Sequence, residues 1–251
     1  MEIITGKSNQ LLTHLRKLAS SGAYRRSCGQ FLCDGIKLAQ EAAHWQGELE
    51  ILILSEGTEL ELPARRTVQL PTELFRSVAP TDSPQGVLAV CRIEPAPLPD
   101  KLDGKRYLVL DGVQDPGNVG TILRTADAFE ADGMFLLLGC ADLYSPKTVR
   151  ATMGALFRRP VWQMELKELC KLLSASDIPL VGAALGAKTI DARQLPVPVA
   201  VAIGSEGRGL SREALDACDG TVRIPMSARC ESLNAAVAAS VLLWELYRND
   251  G

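Results

Sequence analysis

Apolar and polar residues alternate along the chain in two rhythms. Leu11, Leu12, Leu15 and Leu18 recur every three or four positions, which predicts a helix over residues 9–20. Short apolar runs at 30–33, 49–54 and 86–91 predict strands, with helices over 36–45 and 72–78 between them. This half reads as a small layered α/β domain. The stretch Ile93-Glu-Pro-Ala-Pro-Leu-Pro-Asp100 then places three prolines in eight residues. Proline fixes φ and removes a backbone donor, so the stretch predicts a stiff extended linker and a domain boundary.

The second half repeats the alternation on a larger scale. Strands are expected at 107–110, 134–138, 179–184, 199–203 and 222–224, and helices at 118–130, 145–156, 211–217 and 232–247. Ile122, Ala126 and Phe129 form one inward stripe, and Pro146 suits a first helical turn. Strand–helix alternation predicts a mostly parallel sheet covered on both faces. The last helix is apolar nearly all round from Ala235 to Leu246. It is either a central core helix or one shared with a second subunit.

Composition narrows the class. With 251 residues, 47% of them apolar and 23% charged, the chain can bury a sizeable core without disulfides. No apolar run reaches the ~18–20 residues of a bilayer span, and the N-terminus lacks a signal-peptide pattern, so a cytosolic protein is expected. Seven cysteines, an odd number without a Cys-x-x-Cys pair, argue for reduced buried thiols rather than a disulfide framework or a zinc site. A net charge of −3 argues against nucleic-acid binding by bulk charge. Distribution matters more: Lys7, Arg16, Lys17, Arg25, Arg26 and Lys37 stand against Asp34 alone. That stretch is either a phosphate-contacting patch or a solvated helix face.

Ligands gather at the carboxyl ends of strands in a parallel sheet, and three segments fall there. The first runs from Asp111 through a Gly/Pro turn into a helix carrying Asn118 and Arg124. The Arg124 guanidinium either holds a phosphate or pairs with Asp127. The second, Gly204-Ser-Glu-Gly-Arg-Gly209, is glycine-rich but is neither a Rossmann fingerprint nor a P-loop. Glu206 would repel a phosphate there and suits a hydroxyl, a cation or an arginine. The third leads from Val222-Arg-Ile224-Pro225-Met226 to Cys230-Glu231-Ser232-Leu233-Asn234 at a helix start. Ser232 is either an N-cap or a ligand contact, and Asn234 adds an amide.

Taken together, Asn118-x-Gly120-x-x-x-Arg124-x-Ala126, Ile203-Gly204-Ser-Glu206-Gly207-x-Gly209-Leu210, and Ile224-Pro225-Met226 with Ser232-Leu233-Asn234 resemble the three motifs of the SpoU (TrmH-type) family of RNA ribose 2′-O-methyltransferases. The resemblance covers roughly residues 105–248. It implies a parallel α/β sheet of the SPOUT type with a trefoil-knotted C-terminal segment, where pattern alone predicts an ordinary doubly wound sheet. It also implies a homodimer and an S-adenosylmethionine site held by backbone at Gly204, Ile224 and Leu233, with the segment around Leu185 a further candidate. Arg124, Asn118, Glu206, Ser232 and Asn234 match the family's catalytic positions. The first half resembles the ribosomal-protein-like RNA-binding domain that often precedes this catalytic domain. The implied organisation is an RNA substrate-binding domain over 1–92, a linker over 93–104 and a methyltransferase domain over 105–251, with Arg16, Lys17, Arg25 and Arg26 as RNA contacts.

The activity so implied is 2′-O-methylation of structured RNA, ribosomal RNA ahead of transfer RNA, with no metal. The family's suggested proton acceptor is the arginine matching Arg124. A guanidinium stays protonated, so clamping a phosphate and stabilising the developing alkoxide suits it better. Ser232 and Asn234 would orient the nucleotide and Arg124, and Glu206 would position Arg124 or accept a hydroxyl proton's hydrogen bond. The competing readings are a non-catalytic RNA-binding assembly factor and a nucleotide- or NAD-dependent enzyme. Four retained polar positions argue against the first, and the missing fingerprint argues against the second.

Overall fold

A computed structural model describes residues 1–184, 189–227, 229 and 232–249. In chain order the first elements are β1 (Glu2–Ile3), α1 (Gln10–Ser20), α2 (Gly22–Cys28), β2 (Gln30–Asp34), α3 (Ile36–Gln46), β3 (Ile51–Ser55), β4 (Thr67–Leu70), α4 (Thr72–Arg76) and β5 (Val87–Arg92). There follow β6 (Arg106–Asp111), α5 (Pro116–Ala128), β7 (Gly133–Leu136), α6 (Pro146–Thr152), β8 (Val161–Gln163), α7 (Leu166–Ala175), β9 (Leu180–Ala183), β10 (Thr189–Asp191), β11 (Val199–Gly204), α8 (Arg212–Ala217), β12 (Gly220–Arg223) and α9 (Ala235–Asn249). Contacts divide the chain into two units, Met1–Glu94 with Asp142–Arg158, and Pro95–Ala141 with Arg159–Gly251.

The first unit is built on a mixed sheet ordered β1-β4-β3-β5-β2. Successive side chains of a strand face opposite ways, so Leu32, Ile53, Leu88 and Val90 pack under α1, while Phe31, Cys33, Leu52 and Ala89 pack under α3. Asn9 caps α1 by accepting from the Leu11 N–H at 2.8 Å. The excursion Asp142–Arg158 belongs to this unit although its numbers fall in the span expected for the second domain. Val149 and Phe157 join the cluster under α3, the Tyr144 ring lies 5.1 Å from Phe31, and Arg25 pairs with Asp142 at 2.7 Å.

The second unit carries a seven-stranded sheet, ordered β10-β12-β9-β11-β6-β7-β8, and every recorded pairing in it is parallel. Its central strands β11 and β6 are almost wholly buried, as a sheet covered on both faces requires. The proline-rich stretch forms neither helix nor strand, and from Pro95 onward it is part of this unit. Ala96 packs into the core, and the Pro97 carbonyl accepts from the Trp162 indole N–H at 3.2 Å.

Two departures from the expected elements have local causes. The helix expected over 145–156 stops at Thr152, because Met153 and Gly154 take positive φ values of 50° and 94°. The last helix begins at Ala235 rather than Ser232, capped by the Asn234 side chain, which accepts from the Ala236 N–H at 2.9 Å. Ser232 is therefore not the cap. Elements β1, α2, β4, β8, α7 and β10 were not expected. Among the described residues, no helix is long and apolar enough to cross a membrane.

Candidate functional site

The turn after β11 explains why glycine recurs there. The Ser205 N–H donates to the Gly209 carbonyl at 3.0 Å, and the Gly209 N–H returns the bond at 2.9 Å. This closes the turn so tightly that a Cβ on Gly204 would sit 2.0 Å from the Gly209 carbonyl carbon. Gly209 itself has φ +67°, a left-handed conformation that favours glycine. The far side of the turn is fixed to β6, because the Asp111 carboxylate accepts from the Ser211 N–H at 2.7 Å. Glu206 is left exposed at the tip.

Asn118 is fixed from its own helix. It stands three residues after the cap Asp115, whose carboxylate accepts from the Asn118 N–H at 2.9 Å, with Pro116 in the first turn. Its side chain joins the other two segments. The Asn118 amide nitrogen donates to Glu206 Oε1, and its oxygen accepts from Asn234 Nδ2 at 3.2 Å. The direction of this chain follows from α9. Asn234 Oδ1 is committed to the N–H groups of Ala236 and Val237, so only its NH₂ remains to meet Asn118.

Beside this bridge lies a cavity of about 740 Å³ at the carboxyl ends of β9, β11 and β12. Its apolar walls are Ile203, Val222, Ile224 and Leu233, and its polar lining includes Ser232, Glu206 and Arg223. Gly204, Ile224 and Leu233, expected to hold a cofactor, all line this one space. Leu185 lies outside the described residues. Arg124 is exposed on α5 six residues beyond Asn118, is absent from the cavity lining, and forms no hydrogen bond or ion pair among the described residues. Its alternative partner Asp127 is held by Arg159 at 2.9 Å. Met226 of the third motif also lines the cavity, as do Arg223 and Ser227, to which no role was assigned. Arg223 immediately precedes Ile224, and its charge at the end of a buried strand was the available signal.

In the first unit, Arg16, Lys17 and Arg26 are exposed on α1 and α2. Arg25 is 4% exposed, bonded to Asp142 and to the Leu18 carbonyl, so burial removes it from the set available to phosphates. A hollow of about 680 Å³ beside Lys17 is lined by Asn9, His14, Tyr24 and Arg66. Lys17 Nζ lies 5.3 Å from the Tyr24 ring centre, and Tyr24 Oη is 2.9 Å from His14 Nδ1. Burial lowers the His14 pKa, opposed by a hydrogen bond with Gln30. Arg66 enters from β3–β4, too far along the chain for spacing to suggest it.

The SpoU rRNA methylase family pattern matches residues 105–244, which contain all three segments. The chain belongs to the SpoU rRNA methylase family. Residues 9–89 match the MRM3-like substrate binding domain. A 23S rRNA (guanosine(2553)-2′-O)-methyltransferase, RlmP, of Bacillus subtilis (strain 168) is 32% identical over 251 residues, covering 98% of this chain and 99% of that protein. An AdoMet-bound rRNA methyltransferase from Sinorhizobium meliloti superposes with a TM-score of 0.87 at 28% identity, covering 99% of this chain and 98% of the other. The SpoU methyltransferase AviRb from Streptomyces viridochromogenes, in complex with AdoMet, gives 0.87 at 27% identity, with 96% and 98% covered. The fold of these two methyltransferases is shared by this chain, whose parallel sheet is preceded by a small α/β domain.

Proposed function

We propose that the chain is an S-adenosylmethionine-dependent methyltransferase acting on a ribose 2′-hydroxyl of ribosomal RNA. The observation that carries this reading is the Glu206–Asn118–Asn234 bridge, which ties three segments distant in sequence at the edge of one cavity. Support for ribosomal RNA comes from RlmP, a 23S rRNA enzyme similar along nearly the whole chain.

The cavity suits the cofactor on its own terms. Its volume is within the range of small-molecule sites, its walls are largely apolar, and Gly204 leaves backbone exposed where any side chain would collide. Gly204, Ile224 and Leu233 would hold S-adenosylmethionine there. Bound, that cofactor supplies an electrophilic methyl group on a sulfonium.

The protein's own residues act on the RNA. Arg124 clamps the phosphate beside the target ribose and stabilises the developing alkoxide. Ser232 and Asn234 orient the nucleotide. Glu206, already a hydrogen-bond acceptor for Asn118, positions the hydroxyl by accepting from it. The test is Arg124→Ala. Transfer of tritiated methyl to RNA should fall by at least about 10²-fold, while S-adenosylhomocysteine binds as in wild type. Near-normal transfer would remove Arg124 from the mechanism.

In the same reading residues 1–92, joined by the excursion 142–158, are the RNA substrate-binding domain, 93–104 lead into the second unit, and the rest of 105–251 is the methyltransferase domain. Arg16, Lys17 and Arg26 contact phosphates. Replacing all three with Gln should flatten the salt dependence of RNA binding by up to about 0.9 in log–log slope per lost contact. An unchanged slope would return them to a solvated face. The C-terminal segment follows the family's trefoil knot, the chain works as a homodimer through α5 and α9, and its place is the cytoplasm.

A further inference from the structure

We propose that Arg223 binds the carboxylate at the methionine end of the cofactor. The inference rests on the methyltransferase reading above and extends it to a residue of the third segment that the family's motifs do not include.

The cavity lining is mostly apolar side chain and backbone, and among the described residues lining it only Glu206 and Arg223 carry charge. They stand on opposite sides of the crevice. Glu206 follows β11, Arg223 ends β12, and β9 lies between those strands. Two inter-strand spacings put the strands roughly 10 Å apart. In S-adenosylmethionine the sulfonium joins the adenosine to a short methionine arm that ends in a carboxylate, so an arm running from the Glu206 side towards Arg223 brings that carboxylate to complementary charge.

Arg223 is also available. It is exposed and has no hydrogen bond or ion pair among the described residues. Its register partner on β10 is Asp191, an anion placed to compete for it. Both Asp191 oxygens are occupied by Arg193, whose Nε and Nη2 donate at 2.9 Å each, with the Arg193 N–H adding a third bond at 3.0 Å. Arg193, and more weakly Arg223, holds the Asp191 carboxyl below its ordinary range. The Asp191–Arg193 pair is thus neutral as a unit, leaving the Arg223 fork to a second anion. A planar guanidinium matches a carboxylate with two parallel bonds, which backbone groups alone do not supply.

The test compares two ligands that differ at the predicted contact. S-adenosylhomocysteine carries the amino-acid end, and 5′-methylthioadenosine lacks it. Titration calorimetry on the full-length protein should show Arg223→Gln weakening S-adenosylhomocysteine about tenfold, the loss expected for one charged hydrogen-bonded contact, with 5′-methylthioadenosine unchanged. Arg223→Lys, which keeps the charge but not the planar fork, should recover only part of the S-adenosylhomocysteine affinity that Arg223→Gln loses. Equal weakening of both ligands, or of neither, overturns the assignment. So does an effect seen in RNA affinity alone, which would make Arg223 a phosphate contact. Failure of wild-type protein to bind either ligand would instead overturn the cofactor reading beneath it.

Discussion

Asn118 has no freedom in which way round its amide lies. Asn234 Oδ1 caps α9, so its NH₂ must donate, so the Asn118 oxygen must accept, so the Asn118 NH₂ must donate to Glu206. An acceptor chain of this polarity is broken by one atom. Asn118→Asp replaces the donor with a carboxylate facing Glu206, and two carboxylates in contact share a proton. The expected result is a loss of methyl transfer of about 10-fold at neutral pH, about 1.4 kcal/mol, in line with one hydrogen bond to a charged group lost. Residual activity should rise towards acidic pH, where the pair is half-neutralised. A pH–rate profile parallel to wild type would rule out this polarity. Asp34 gives a second, independent prediction in the first unit. Burial raises its pKa, against a hydrogen bond from Thr81 at 2.7 Å and the charge of Arg150. A raised folded pKa means that stability is fully present below the unfolded pKa and is lost as pH rises through the folded value. Asp34→Asn keeps an acceptor for Thr81 and removes the buried charge. It should raise the thermal midpoint at pH 7, and calorimetry at pH 4 should show the gap narrowing.

At the scale of elements, the turn closing β11 is the most constrained piece of the site. An added methyl at Gly204 meets backbone rather than a movable side chain, so the Ser205–Gly209 closure must open. Gly204→Ala should cost about 1–3 kcal/mol in urea unfolding, as overpacking does, and should abolish S-adenosylhomocysteine binding. Unchanged stability and affinity would show that the turn relaxes freely. This turn was legible in the sequence because three glycines, Ile203 and Glu206 lie within seven residues. The strands and helices with one clear rhythm were legible for the same reason: α1 from its leucines, α3, β11, and the parallel sheet from its alternation. What failed was what one residue decides or what distance hides. The helix over 145–156 looked continuous until Met153 adopted positive φ, and its assignment to the first unit depends on Phe31 and Arg25, more than a hundred residues away. Arg25 reads as one of a basic run, yet its partner Asp142 lies 117 residues on. Ser232 and Asn234 are equally good caps by residue type, and only the coordinates show that Asn234 takes the role. Strands β1, β4, β8 and β10 are two to four residues long, too short to carry a period of their own. For α7 the signal was present, since Leu166, Leu169 and Leu173 share one stripe.

For the whole molecule, net charge and function separate by region. A chain of net charge −3 still presents Arg16, Lys17 and Arg26 exposed on α1 and α2 of the first unit, and Arg124 and Arg223 exposed in the second. The last helix shows the same division between inside and outside. Ala235, Ala236, Ala239, Leu242, Leu243 and Leu246 are buried, yet Val237, Trp244 and Tyr247 remain 48%, 47% and 37% exposed along the opposite side. Phe129 at the end of α5 extends this side, its ring 5.6 Å from Trp244 and 5.8 Å from Tyr247. Large aromatic and aliphatic side chains clustered at the surface mark a contact surface more often than a solvated one. A second copy of the chain is the occupant that the homodimer reading assigns. Val237→Glu tests it at little risk to the fold, since a half-exposed helical position tolerates a charge within about 0.5 kcal/mol. Sedimentation velocity should then report one chain mass in place of two, with the thermal midpoint of the monomer unit little changed. Wild-type protein sedimenting at one chain mass throughout the micromolar range would remove the dimer, and leave the aromatic face of α9 without its partner.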